Sequence, residues 1–114
     1  MPNFSLEKIR SGDALFLRPQ GYLDELAGQQ LRDAALEAIS QGVRLFILNF
    51  EKTTVINSPG ITQILELAED VVYDHKSKLA LVGVSSLYSE VFQVVGLTRM
   101  VEVFPSEEAA LART

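Results

Sequence analysis

Few side chains in this chain could carry covalent chemistry, and Ser58 in Val55-Ile56-Asn57-Ser58-Pro59-Gly60-Ile61 is the best placed. A serine between a strand and a helix invites comparison with a hydrolase nucleophile. That elbow needs glycine two residues earlier, where Ile56 stands. The one histidine, His75, lies in the same helical segment, about 25 Å from Ser58 at 1.5 Å per residue. No Ser–His pair can form within one chain. No glycine-rich stretch runs into Lys-Ser or Lys-Thr, so a phosphate loop is absent. Zero cysteines exclude disulfides, thiolate chemistry and cysteine metal sites, and a single histidine argues against zinc. The expectation is therefore no metal, no cofactor and no catalysis. The acidic pairs, Glu107 with Glu108 and Glu66 with Glu69 and Asp70, read as helix-dipole partners and a solvated helix face.

The residues around Ser58 suggest a different use. Ser58 reads as a helix N-cap with Pro59 at the first helical position. Gly60 inside the first turn costs about 1 kcal/mol relative to alanine, and suits a surface that another chain approaches closely. Asn57 and Ser58 offer small polar groups. A hydroxyl at a helix N-terminus is well placed for phosphorylation, since backbone N–H groups and the helix dipole stabilise phosphate.

The elements that must hold this segment can be read in order. Phe4–Glu7 alternates apolar and polar residues, Ser11-Gly12-Asp13 turns, and Ala14–Arg18 continues, giving an opening hairpin that Pro19 should end or edge. Asp24 caps a helix with Ala27, Leu31, Ala34, Ala35, Ala38 and Ile39 at helical spacing, stopped by Gly42. Leu45–Leu48 reads as a central strand buried on both faces. A loop over 53–60 leads to a helix carrying Ile61, Ile64, Leu65, Ala68, Val71 and Val72, with His75, Lys76 and Lys78 suited to its negative end. Ile61, Leu65, Ala68 and Val72 are expected to face the sheet. Leu79–Val84 is a further buried strand. Ser85 or Ser86 caps a third helix carrying Leu87, Val91, Phe92, Val94 and Val95, stopped by Gly96. Met100–Phe104 is a short strand, and Pro105-Ser106-Glu107-Glu108 opens a last helix.

This is a single α/β domain over residues 1–114, of order ββαβαβαβα, with a mixed, mainly parallel sheet. The loops 21–24, 53–60 and 84–86 should converge at the sheet end where open α/β folds carry their sites. That places Tyr22, Asp24, Asn57, Ser58, Pro59, Gly60, Ser85 and Ser86 on one candidate partner-binding face.

The charge of −5 disfavours direct binding to nucleic acid or anionic membrane. Apolar runs such as Leu45–Leu48 are far short of the roughly 18 residues of a membrane span, and Met1–Glu7 lacks the pattern of a signal peptide. A cytoplasmic protein is expected.

Gly21-Tyr22-Leu23-Asp24, Leu45–Asn49, Asn57-Ser58-Pro59-Gly60, Leu79–Val84, Val94-Val95-Gly96-Leu97 and Phe104–Leu111 resemble, in order and spacing, the STAS domain family, named for sulfate transporters and anti-sigma-factor antagonists. The stand-alone length looks like the bacterial anti-sigma-factor antagonists. The resemblance implies that Ser58, at the first serine of the family's Asp-Ser-Ser-Gly, is phosphorylated by an anti-sigma factor with a histidine-kinase-like ATPase fold. The unphosphorylated form would bind that partner and free the sigma factor; a serine phosphatase would be a further partner. The departures are Asn57 for aspartate, which deletes a carboxylate beside the acceptor, and Pro59 for the second serine, which stiffens the loop and removes an N–H. The alternative is a STAS scaffold that never uses phosphate, as a subunit of a stress-signalling complex or of a lipid-transport ATPase.

Overall fold

The computed structural model describes residues 3–113, so Met1, Pro2 and Thr114 of the expected domain lie outside the described residues. An antiparallel hairpin opens the chain, with β1 (Phe4–Ser11) paired to β2 (Ala14–Leu23). Then follow α1 (Glu25–Ser40), β3 (Leu45–Asn49), β4 (Thr53–Ile56) and α2 (Ser58–Ala68), which continues as a π-helical segment, Glu69–Asp74. β5 (Lys78–Val82), α3 (Ser86–Val94), a 3-10 turn (Leu97–Arg99), β6 (Glu102–Phe104) and α4 (Glu107–Ala112) complete the order. The sheet runs β1-β2-β3-β5-β6, with β4 also paired to β2, and every pairing except β1–β2 is parallel. The mixed, mainly parallel α/β sheet is as expected.

Both central runs are buried along their length: all of β3, and Leu79–Val82 of β5. Parallel strands between covered faces need apolar side chains in both directions, which is why these runs do not alternate. One face of the sheet packs Leu17, Phe46, Leu48 and Leu81 under Leu31, Ala35, Ile64, Leu67 and Phe92. The other packs Ile47, Ala80, Val82 and Phe104 against Ala110 of α4. α1 and α2 approach closely because Gly28 has no side chain: a Cβ there would come within 2.3 Å of the Gln63 Cβ. Ile64, Leu67, Ala68 and Val71 are fully buried, while Ile61, Leu65 and Val72 are half-buried at the margin of the same core.

Several expectations are corrected. β4 occupies part of the presumed loop 53–60, so the observed order has an additional strand. Pro19 does not end β2, but it does lie at a local edge of the strand. It lies where β2 changes partner, from β3 at Ala14–Leu17 to β4 at Gly21–Leu23, so Arg18–Gln20 have no strand on that side. The Thr53 hydroxyl donates to the Pro19 carbonyl across this fork (3.0 Å).

The second helix ends in π geometry, where the His75 N–H reaches back five residues to the Asp70 carbonyl. His75, Lys76 and Lys78 lie beyond the helix, Lys76 in a left-handed turn (φ 56°) and Lys78 in β5, so none serves its last turn. In α3 the apolar pattern does not all face inward: Phe92 is buried, but Leu87, Val94 and Val95 are exposed.

Candidate functional site

Three chain segments meet at the C-terminal ends of the parallel strands, and hydrogen bonds join them. β2 ends at the buried Leu23, and Asp24 caps α1 by accepting the Ala27 N–H (2.9 Å). β4 runs alongside, and the Asn57 N–H donates to the Leu23 carbonyl (3.2 Å). Asn57 Nδ2 also donates to the half-buried Tyr22 hydroxyl (3.4 Å). From the other flank Tyr88 of α3 latches β4: its hydroxyl accepts the Ile56 N–H (2.8 Å) and donates to the Ile56 carbonyl (3.3 Å). Its ring stacks on the buried Phe92. Ser85 is the cap of α3, its hydroxyl accepting the Tyr88 N–H (3.3 Å), and both Ser85 and Ser86 are exposed.

Two local details at Ser58 differ from the sequence reading. Asn57, not Ser58, is the N-cap of α2, with Oδ1 accepting the Gly60 N–H (2.9 Å). Ser58 is therefore the first helical residue and Pro59 the second, both exposed. Gly60 is not a surface glycine. It is buried, and a Cβ there would stand 2.3 Å from the Leu23 carbonyl oxygen, so its missing side chain serves the close passage of α2 across the end of β2.

These details limit what the helix start can offer an anion. Pro59 has no N–H and the Gly60 N–H is taken by Asn57. Among the first three helical positions only the Ser58 N–H remains as a donor. The helix dipole would still favour a negative charge here.

The structure thus brings Tyr22, Asp24, Asn57, Ser58, Pro59 and Gly60 together and ties them to Ser85 and Ser86 through Tyr88. Around them stand exposed apolar side chains: Leu26 in the first turn of α1 (63% exposed) and Val55 on β4 (41%), which periodicity did not single out, and Leu87 in the first turn of α3 (63%), which it placed on the apolar stripe. The cavity between β4 and the start of α3 holds only about 100 Å³, below the size of ordinary metabolite pockets. No sequence pattern points to Tyr88, because its latch depends on β4, which lies within the segment expected to be loop.

A second polar cluster lies where the β2–β3 ladder ends, on the face covered by α4. Arg18 grips Glu107 with two hydrogen bonds, Nε to Oε2 (2.9 Å) and Nη2 to Oε1 (2.8 Å), and reaches Glu7 at 3.3 Å. The buried Asn49 donates to Glu107 Oε2 (2.9 Å), the oxygen that also accepts from Arg18 Nε. The Arg18 hydrogen bonds hold the Glu107 carboxyl below its usual range against its partial burial, with Asn49 adding to the effect. Arg18 is correspondingly raised, first by Glu107. Glu107 is therefore more than a dipole partner: it clamps α4 to the sheet. Arg32 makes the matching tie between α1 and the π segment, through Asp70 Oδ2 (2.9 and 3.1 Å) and Gln63 Oε1 (3.2 Å).

Among the described residues no cluster of His, Asp and Glu is arranged to hold a metal ion, and no helix is long and apolar enough to cross a membrane.

Comparison with known proteins identifies relatives of this arrangement. The family model of the STAS domain matches residues 5–110. The anti-sigma factor antagonist SpoIIAA in its unphosphorylated form superposes with a TM-score of 0.74 at 28% identity, over 97% of this chain and 96% of that one. The phosphorylated form, described as a Bacillus cell fate determinant, gives 0.73 at 28% identity, over 97% and 98%. An anti-sigma factor antagonist from Mycobacterium paratuberculosis shares the fold at 12% identity, with a TM-score of 0.80 over 97% and 93% of the chains.

Proposed function

The chain belongs to the STAS domain family, and on that premise we propose that it is an anti-sigma-factor antagonist whose docking to an anti-sigma factor ends when Ser58 is phosphorylated. One observation carries this reading. Ser58 is exposed at the first position of α2, while its neighbours on both sides are fastened, Asn57 to Leu23 and Tyr22, and Gly60 to Asn57. A hydroxyl displayed on so fixed a support suits recognition by a kinase and by a partner surface. The likeness to SpoIIAA, known in unphosphorylated and phosphorylated forms, supports it. The domain is then the kinase's substrate rather than an enzyme, and works in the cytoplasm.

The switch is electrostatic. Phosphate adds about 1.5 to 2 negative charges on the same face as Asp24, at a helix start with few donors to receive it. The charge would project outward, into whatever covers Leu26, Val55 and Leu87. Exposed apolar side chains around a small polar centre are the arrangement in which an unpaired charge weakens an interface most. Tyr22, Asp24, Asn57, Pro59, Ser85 and Ser86 complete the docking face, and Gly60 shapes it from beneath. The partner has the histidine-kinase-like ATPase fold that the family resemblance implies, with a serine phosphatase reversing its action.

Incubation with candidate anti-sigma serine kinases and ATP, read by intact mass, tests this directly. One phosphate on the wild type and none on Ser58→Ala is expected. Ser58→Asp should weaken partner binding by about 1–3 kcal/mol, while Ser58→Ala binds normally. Wild-type binding by both variants, with no kinase modifying Ser58, would leave the second reading: a constitutive scaffold in a stress-signalling complex or a lipid-transport ATPase. The scarcity of N–H donors around Ser58 favours that alternative.

A further inference from the structure

At the opposite pole of the sheet from Ser58 lies a feature that docking does not use. Arg44 precedes β3, Lys76 and Lys78 flank the start of β5, Arg99 precedes β6, and Arg113 follows α4. Half of the ten basic residues of a chain of charge −5 thus gather at one end. Among the described residues the ion pairs engage Arg18 and Arg32, and none of these five makes one. Asp13 and Glu102 are the carboxylates that share the walls with them. Like charges left unpaired together repel, and in a concave surface they focus a positive potential.

The surface there is concave. Beside a hollow of about 340 Å³ that shares Leu45 and Lys78 with it lies a groove of like volume, lined by Lys78 and Arg99. Its origin is in the strand register. β6 begins at Glu102, opposite Ala80, so Lys78 and Leu79 have no strand beside them on that edge, though on the other they pair with Leu45 and Phe46. The missing strand length leaves an apolar floor of Leu79, Ala80, Met100 and Phe104. Each hollow alone has the size of a small-molecule pocket, and the combination of apolar floor and cationic rim selects the ligand.

We infer that this groove binds a small amphipathic anion, a carboxylate or phosphate monoester on an apolar body, with Lys78 and Arg99 meeting the charge. Planar guanidinium and ammonium groups suit either headgroup. The concavity favours a free small molecule over a flat membrane surface. The site is independent of Ser58 and of any anti-sigma factor.

Amide NMR titration with octyl phosphate and with octanoate tests the inference, using octanol and inorganic phosphate as the apolar and charged halves alone. Both amphipathic anions should shift the amides of Ser77, Leu79 and Val101 and leave those of Asn57 and Ser58 unmoved. The tighter of the two names the headgroup. Octanol and inorganic phosphate should bind about tenfold more weakly or worse. Lys78→Ala with Arg99→Ala, both at exposed positions, should lose about tenfold in affinity without changing the melting temperature. Thr98→Glu, a carboxylate on the exposed rim, should do the same. The inference fails if no shifts occur, if octanol binds as well as octyl phosphate, or if the variants bind like wild type. Lys78-dependent cosedimentation with phosphatidylglycerol vesicles, without octyl phosphate binding, would overturn it in favour of a membrane contact.

Discussion

Replacing Gly60 by alanine separates two accounts of this residue by the sign of a stability change. Were Gly60 a surface position, alanine would stabilise the first turn of α2 by about 1 kcal/mol. In the structure the new methyl would stand 2.3 Å from the Leu23 carbonyl oxygen and 3.1 Å from both its carbonyl carbon and its Cδ2. Leu23 is fully buried, and its carbonyl already accepts the Asn57 N–H, so it has no free direction of retreat. Overpacking against such a neighbour costs about 1–3 kcal/mol. Withdrawal of α2 also stretches the Asn57–Gly60 cap, at about 1 kcal/mol. After the propensity gain, a net destabilisation of about 1–3 kcal/mol remains. Urea unfolding measures it as a lower midpoint at unchanged slope. The melting temperature should fall by roughly 4 °C per kcal/mol. A Gly60→Ala protein as stable as wild type, or more so, would refute the packing argument and return Gly60 to the surface.

Asn57→Ala should cost about 1 kcal/mol as the loss of the α2 cap, whereas Ser58→Ala should change stability by less than about 0.5 kcal/mol; chemical denaturation of both compares them. Tyr88→Phe removes the hydroxyl shared by the Ile56 N–H and carbonyl and should cost about 1 kcal/mol, with faster hydrogen exchange at Ile56 and Asn57. Glu107→Gln should cost about 1–2 kcal/mol at neutral pH. Because the folded carboxyl sits below its ordinary value of 4.5, its contribution is complete above that pH and is lost as pH falls through the folded value; wild-type stability should drop there more steeply than that of the variant.

What the sequence made legible followed from strong local signals. The unbroken apolar runs of β3 and β5 could only be interior strands, and Asp24 and Gly42 stand where a helix cap and a helix stop were expected. β4 escaped because its four residues, Thr53–Ile56, bury only Ile56, and its partner β2 is some thirty positions away. The cap of α2 was displaced by one because asparagine and serine are equally good caps, and proline is tolerated at the second helical position as at the first. Periodicity marked Leu87 and Val94 as apolar but could not show that α3 turns them outward, since a single helix stripe does not reveal which part of it meets the sheet. The Arg18–Glu107 clamp joins residues 89 positions apart, and no local pattern records such a pairing.

The π-helical stretch at Glu69–Asp74 bears on how the chain can change length. A turn wound wider than an α-helix stores one residue more than the same rise requires. Removing one residue, Tyr73 or Asp74, lets the segment relax to α geometry while Ala68 before it and Ser77 after it keep their places in the core. Asp70, whose grip on Arg32 ties this stretch to α1, lies upstream of that point and would be retained. A deletion elsewhere in α2 has no such reserve: it would rotate every following side chain by about 100° and turn Leu67 and Ala68 away from the sheet. This short stretch is the place where the helix can tolerate a change in length, and the rest of α2 is not.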